Sequence, residues 1–267
     1  MDCTPLARMR QEAPLVHCIS NVVTVQDCAN LLLAAGGRPI MAQEPQEMAE
    51  ISGQCATTVL NTGTPDDRKY LACTLAGQTA NRLGHPVVLD PVGVGASAYR
   101  LERVSRLLEE VSPTVVRGNL GEVQALLRLA SQESGVDCAS DGGLAQRQDC
   151  ALRLARALGC TVFLSGAVDV VTDGQRLALL SGGSARMRQI TGAGCMLSVL
   201  LGGFAAVTDS PYAAALCAGA FWKCCAAYAE KQGPGMGRFH AALFDGASLL
   251  EPEQMPELCR VEELMCN

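Results

Sequence analysis

Lysine is nearly missing from this 267-residue chain: Lys69, Lys223 and Lys231 are the only ones, and none follows glycine in a Gly-Lys-Ser/Thr string. A Walker A loop is therefore excluded, and any nucleotide must be held by another device. Histidine is as scarce, with His17, His85 and His240 far apart. The fourteen cysteines include no Cys-x-x-Cys, so no zinc pattern emerges, and their density is below the ~8–10% of small disulfide scaffolds. Aromatic residues make up 4% of the chain, which leaves a core of aliphatic and small side chains. Positive charge is in deficit: a net charge of −6 argues against non-specific nucleic-acid binding and against a basic membrane patch. The longest apolar block, Met196 to Val207, is too short to span a bilayer and runs into Thr208, Asp209, Ser210 and Pro211. The opening Met-Asp-Cys-Thr-Pro lacks the basic and apolar regions of a signal peptide.

What is present fits a compact enzyme, 49% hydrophobic with a mean hydropathy of +0.18. Cys28, Cys73, Cys160 and Cys217 sit in apolar surroundings, where a reduced thiol behaves as a small hydrophobe, and a reducing cytoplasm is expected. Short β-rich runs alternate with longer helical patterns, the signature of an α/β fold whose sheet is built largely from βαβ units. Strands are expected at Leu15–Ile19, Pro39–Ala42, Thr57–Leu60, Val87–Leu89, Val115–Arg117 and Val162–Leu164. Helices are expected at Thr24–Ala35, Asp66–Arg82, Leu101–Val111, Glu122–Ala130 and Leu144–Leu158. Thr24 with Asp27 three residues on reads as a capping box, and Gly36-Gly37 as a C-cap. Ser131 to Gly143 reads as a surface loop. Val168–Thr172 and Leu177–Leu180 form a hairpin around Asp173-Gly174, and from Met196 the chain is mostly helical. No repeat or linker breaks it, so one domain over residues 1–267 is expected.

Open α/β sheets bind ligands at the carboxyl ends of their strands, and the polar motifs cluster there. Asp90-Pro91-Val92-Gly93 follows one strand, Arg117-Gly118-Asn119 with Glu122 a second, and Ser165-Gly166-Ala167-Val168-Asp169 a third. Downstream, Thr191-Gly192-Ala193-Gly194-Cys195 puts two glycines and a cysteine ahead of an apolar helix, the make-up of an anion hole. Plainer readings exist for each: Asp90 as a turn former, Arg117 with Glu122 as a surface ion pair, Asp169 as a backbone partner in the hairpin, His17 as a core histidine, Cys195 as filler. Gly93-Val94-Gly95-Ala96-Ser97-Ala98 matches a dinucleotide fingerprint only formally, since it follows a central strand and no acidic residue closes the next.

The ordered series resembles the hydroxyethylthiazole kinase family of the ribokinase-like superfamily. It is carried by Pro14-Leu15-Val16-His17, Asn21, Pro39-Ile40-Met41-Ala42, Leu60-Asn61-Thr62-Gly63-Thr64, Pro86 to Ala96, Arg117-Gly118-Asn119 with Glu122, Gly166-Ala167-Val168-Asp169, Val171-Thr172-Asp173-Gly174 and Thr191 to Cys195. The resemblance implies a central, mostly parallel sheet flanked by helices on both faces. It implies ATP-dependent phosphorylation of the alcohol of hydroxyethylthiazole in thiamine salvage, with Mg²⁺. Arg117 and Ser165 would bind nucleotide, Gly192 and Gly194 would form the anion hole, and Asp90 and Glu122 would organise Mg²⁺. Asn21, Met41, Gly63 and Gly192 would line the thiazole pocket, and Cys195 would be the base. A homotrimer with Met41 supplied across the interface is also implied. The field of the helix start is expected to lower the Cys195 thiol below the free value of ~8.5.

Departures from the family pattern are Cys18 and Ser20 in the His-Asn-Ile-Thr-Asn string, Ala193 for a threonine, Ser165 for a threonine, and Ser181-Gly182-Gly183 for an Asn-Gly-His-like turn. Rival readings are a hydroxymethylpyrimidine-type kinase, an ATP-dependent dehydratase of nicotinamide-nucleotide hydrates, which usually has aspartate at the Cys195 position, and a non-catalytic thiazole sensor. The joint presence of Arg117, Asp90, Glu122 and the glycine turn favours an enzyme over the sensor.

Overall fold

A computed structural model describes residues 2–131 and 143–265. Among these residues the fold is built on a nine-stranded sheet of order β2-β1-β3-β4-β5-β6-β7-β8-β9. The strands are β1 (Leu15–Ile19), β2 (Arg38–Ile40), β3 (Thr57–Asn61), β4 (Val87–Asp90), β5 (Val115–Gly118), β6 (Thr161–Leu164), β7 (Asp169–Thr172), β8 (Arg176–Gly182) and β9 (Cys259–Met265). From β2 to β6 every neighbour is parallel, and from β6 onward every pairing is antiparallel. The helices are α1 (Thr4–Glu12), α2 (Val25–Ala35), α3 (Met48–Gln54), α4 (Asp67–Leu83), α5 (Ala98–Glu110), α6 (Leu120–Ser131), α7 (Leu144–Leu158), α8 (Ala193–Ala205), α9 (Pro211–Glu230), α10 (Met236–Leu249) and α11 (Met255–Leu258).

Two apolar layers hold the helices to the sheet, and the strands supply them alternately, as the two-residue period requires. Val88, Val115 and Phe163 face the layer of α1, α2, α8, α9 and α10. Val87, Leu89, Val116, Val162 and Leu164 face the layer of α4, α5, α6 and α7. The carboxyl ends of β1, β3, β4, β5 and β6 thus emerge side by side, with the winding reversing between β1 and β3, where open α/β sheets form a ligand crevice.

Most expected elements occur within a few residues, with differences that have physical causes. Gly36 caps α2 as expected, its N–H reaching Leu32, but Thr24 makes no side-chain cap. Its hydroxyl instead accepts from Cys28 Sγ at 3.8 Å, and Asp27 accepts from His240 Nε2 at 2.9 Å, so the capping box does not form. Strand β2 stops at Ile40, where pairing with His17 ends, because His17 Nε2 donates to the Ala42 carbonyl at 3.0 Å and draws the chain off the sheet. Buried between Ala42 and Ser52, His17 is a core histidine, and burial lowers its pKa. Helices α1 and α3 add to the expected set, and the helical C-terminus ends in β9, whose charged Arg260, Glu262 and Glu263 conceal a strand that covers the edge of β8. The expected Ser131 to Gly143 loop lies outside the described residues over 132–142.

Candidate active site

Asp90, the last residue of β4, is 0% exposed and is the hub of the crevice. Its Oδ2 accepts from Asn61 Nδ2 at 2.8 Å and from Ser198 Oγ at 2.7 Å. Its Oδ1 lies 3.4 Å from Arg117 Nη1, on the neighbouring strand. Register explains the first contact, since Asn61 on β3 stands directly beside Asp90 on β4. Arg117 therefore pairs with Asp90 rather than forming a surface pair with Glu122. Its Nη2 donates to Ser165 Oγ at 2.9 Å, and Ser165 Oγ in turn donates to the Gly118 carbonyl at 3.2 Å. The buried Nε of Arg117 has no partner among the described residues, a donor available to an anion.

The glycine turn abuts this guanidinium. A Cβ at Gly194 would come within 2.3 Å of Arg117 Nη1, so a side chain there would displace the arginine. Gly192 takes φ +79°, and a Cβ on it would meet Thr24 Cγ2 at 2.2 Å. Among the described residues no side chain caps α8, which leaves the first-turn N–H groups of Gly194 and Cys195 as open donors at the positive end of the helix dipole. Arg117, Ser165 and Gly194 line a cavity of about 510 Å³ together with Asp169, Trp222 and Lys223.

Cys195 is buried beside Asp90, Thr24 and Asn61. Burial raises its pKa, the Asp90 charge raises it further, and hydrogen bonds from Thr24 and Asn61 with the charge of Arg117 only partly oppose this. The expected lowering of the thiol is therefore reversed: loss of water and an adjacent carboxylate outweigh the helix start.

Glu122 lies in the first turn of α6, its Oε2 accepting from Asn119 N and its Oε1 from Gly93 N, both at 2.8 Å. Asn119 Oδ1 accepts from Glu122 N at 3.0 Å, closing a reciprocal cap. Burial first and then the Asp90 charge raise the Glu122 pKa, and the backbone N–H groups of Asn119 and Gly93 with the charge of Arg117 only partly oppose this. Among the described residues no three metal-ligating side chains converge. Two carboxylates nevertheless fit Mg²⁺, which keeps several waters and is commonly bound by one or two carboxylates with substrate phosphates.

On the other side of Asp90, Gly63 packs against both asparagines: a Cβ there would lie 2.6 Å from Asn21 Nδ2 and 2.9 Å from Asn61 Oδ1. Lys69 Nζ donates to the Gly63 carbonyl at 2.5 Å, and burial lowers its pKa. Met41 follows the edge strand β2 and packs half-buried on the layer that contains α2. Asn61, Ser198 and Lys69 are site neighbours that motif reading left without a role. Ser198 was within reach, because it lies four residues after Gly194, one helical turn on, and its hydroxyl lies 3.2 Å from the Gly194 carbonyl. Lys69 sits on α4 and carries no comparable sequence signal.

The family model described as the hydroxyethylthiazole kinase family matches residues 6–253. The chain is 38% identical over 262 residues to a hydroxyethylthiazole kinase of Clostridium botulinum, covering 96% of this chain and 94% of that protein. It is 41% identical over 255 residues to one of Exiguobacterium sibiricum, covering 95% and 98%. The structure of a hydroxyethylthiazole kinase protein from Pyrococcus horikoshii superposes with a TM-score of 0.88 at 34% identity, covering 98% of each chain. Staphylococcus aureus pyridoxal kinase in complex with AMP-PCP shares the fold at 16% identity and a TM-score of 0.67, covering 94% of this chain and 98% of that one.

Proposed function

Because this chain belongs to the hydroxyethylthiazole kinase family, we propose that it transfers the γ-phosphoryl group of ATP to the primary alcohol of hydroxyethylthiazole, a salvage step toward thiamine. The observation that carries the reading is the convergence of Arg117, Ser165 and Gly194 on one cavity, with Asp90 directly behind the arginine. Phosphoryl transfer is catalysed chiefly by positioning and by donors for spread negative charge, and these groups supply both.

In this reading Arg117 and Ser165 hold the nucleotide phosphates, and the N–H groups at Gly192, Gly194 and Cys195 take the transferring group. Asp90 and Glu122 hold Mg²⁺, which supplies charge neutralisation on the phosphate oxygens. Asn21, Met41, Gly63 and Gly192 position the thiazole so that its hydroxyl lies in line with the γ-phosphorus. Cys195 is the base for that hydroxyl, acting through the small fraction of thiol that is ionised. Its share of the rate is modest, about 10²–10⁴-fold at most, because the loose transition state needs little early proton removal.

The same reading makes residues 1–267 one catalytic domain and the protein a cytoplasmic homotrimer with Met41 contributed across the subunit boundary. Val22 and Val23, which directly follow Asn21, are 61% and 64% exposed, an apolar surface at the pocket rim suited to a neighbouring subunit. Burial pushes the thiols of Cys28, Cys73, Cys160 and Cys217 up to about 12, which suits cysteines that remain reduced and unreactive. No helix among the described residues is long and apolar enough to cross a membrane.

Incubation with Mg²⁺ and γ-labelled ATP tests the assignment. Label is expected on hydroxyethylthiazole, with none on hydroxymethylpyrimidine and no dehydration of hydrated nicotinamide nucleotides. Transfer to another small alcohol but not to the thiazole overturns the substrate.

A further inference from the structure

The turn between β6 and β7 carries Ser165, and charged side chains from three elements fasten it. Asp169 Oδ1, at the start of β7, accepts from Gly166 N at 2.7 Å. Asp169 Oδ2 lies 3.1 Å from Lys223 Nζ on α9, an ion pair whose side chains are only 9% and 10% exposed. Lys223 Nζ also donates to the Ala167 carbonyl at 3.4 Å. From α7, Arg147 Nη2 donates to the Val168 carbonyl at 3.2 Å, and its guanidinium fills the space where Gly166 has no side chain. Every residue from Gly166 to Val168 is thus tied by its backbone to a charged group, while the turn's first residue, Ser165, holds Arg117.

Lys223 is the one charged residue of α9 between Pro211 and Ala229, and both members of the ion pair line the cavity that Arg117 and Ser165 line. A buried pair is a poor source of stability, since desolvation offsets most of its attraction. Its value here is geometric: it joins α9 to the sheet at the one turn that aims the serine hydroxyl at the arginine.

We propose that Asp169 and Lys223 are a positioning pair for the nucleotide half of the site, holding the Ser165–Val168 turn so that Ser165 and Arg117 meet the phosphates of ATP. The inference rests on the kinase reading and adds to it a pair that does not touch the acceptor alcohol. Lys223 acts through the turn, so its loss weakens nucleotide binding and leaves the alcohol side unaltered.

Calorimetric titration with Mg-ATP in the absence of any alcohol tests this. Lys223→Met is expected to weaken ATP binding about tenfold or more and to raise the KM for ATP, with the KM for the alcohol unchanged. Lys223→Arg is expected to recover binding to within about threefold of the parent. Because Lys223→Met leaves the Asp169 charge buried and unpaired, the double variant Asp169→Asn/Lys223→Met serves where the single one does not fold, and it is expected to show the same weakened binding. Parental ATP affinity in the folded single or double variant overturns the positioning role, as does a rise in the alcohol KM equal to that for ATP. Failure of the parent protein to bind ATP instead overturns the kinase reading itself.

Discussion

Ser198 on α8 and Asp90 at the end of β4 are joined by a buried 2.7 Å hydrogen bond that ties the helix of the glycine turn to the sheet. The same serine hydroxyl contacts the Gly194 carbonyl, so the carboxylate and the glycine turn share one positioning group. Ser198→Ala removes one of the two donors to Asp90 Oδ2 and is expected to cost about 1–3 kcal/mol of stability. Urea unfolding measures this, and a change below about 0.5 kcal/mol, the range of neutral surface substitutions, counts against it.

Gly194→Ala and Arg117→Ala are expected to produce the same defect by different routes. The alanine methyl enters the space of the guanidinium, while the arginine truncation removes it. Both variants should raise the KM for ATP at least about tenfold, the order expected when a charge-assisted phosphate contact is lost. Steady-state kinetics with each substrate varied in turn decides it, and a selective defect in alcohol binding speaks against the arrangement.

With its thiol pKa raised by burial and by Asp90, Cys195 is protonated at neutral pH, and the thiolate appears only as pH climbs. If the thiolate is the base, kcat should rise with pH through and above the free-thiol range of ~8.5. Cys195→Asp should stay active and flatten that rise, because an aspartate is ionised throughout. Cys195→Ala should slow kcat and leave ATP affinity nearly intact. A parental rate for Cys195→Ala, together with a thiol that resists iodoacetamide in the absence of ligand, reduces Cys195 to packing.

The raised pKa of Glu122 has a sign that can be read in metal binding. Protons compete for its carboxylate above the ordinary value of 4.5, so Mg²⁺ affinity should increase as pH rises through the raised pKa and level off above it. Glu122→Gln should raise the Mg²⁺ concentration needed for half-maximal rate. An unchanged Mg²⁺ requirement removes Glu122 from the metal site.

Replacing both Val22 and Val23 with aspartate places charge on the exposed apolar rim beside Asn21. Light scattering should show a trimer for the parent and smaller species for the variant, accompanied by a higher KM for the thiazole. A parent of monomer mass at assay concentration rules the trimer out.

Local signals made much of the fold readable. Short β-branched apolar runs mark strands at Val87–Leu89 and Val115–Arg117, each within a residue of the strand observed, and the glycine pair after Ala35 ends α2 because left-handed backbone is inexpensive there. Strand β9 was not readable, since its charged residues match a helix surface as well as a strand edge, and only the unpaired edge of β8 selects between them. Thr24 shows the same limit: its sequence context favours a capping box, but Cys28 and the packing of α2 leave its hydroxyl elsewhere.

By itself the sequence determined the chemistry present at each strand end: a carboxylate in Asp90, a guanidinium in Arg117, a hydroxyl in Ser165 and the Gly192–Cys195 turn. These are set by residue type and by spacing along the chain, which require no long-range contact to read. The tertiary structure decided which of them interact and in what ionisation state. It paired Arg117 with Asp90, brought Lys223 from α9 to Asp169 on β7, and raised rather than lowered the Cys195 thiol. Those outcomes depend on burial and on charges distant in sequence, because the energy of an ionised group is set by the water it loses and the neighbours it gains.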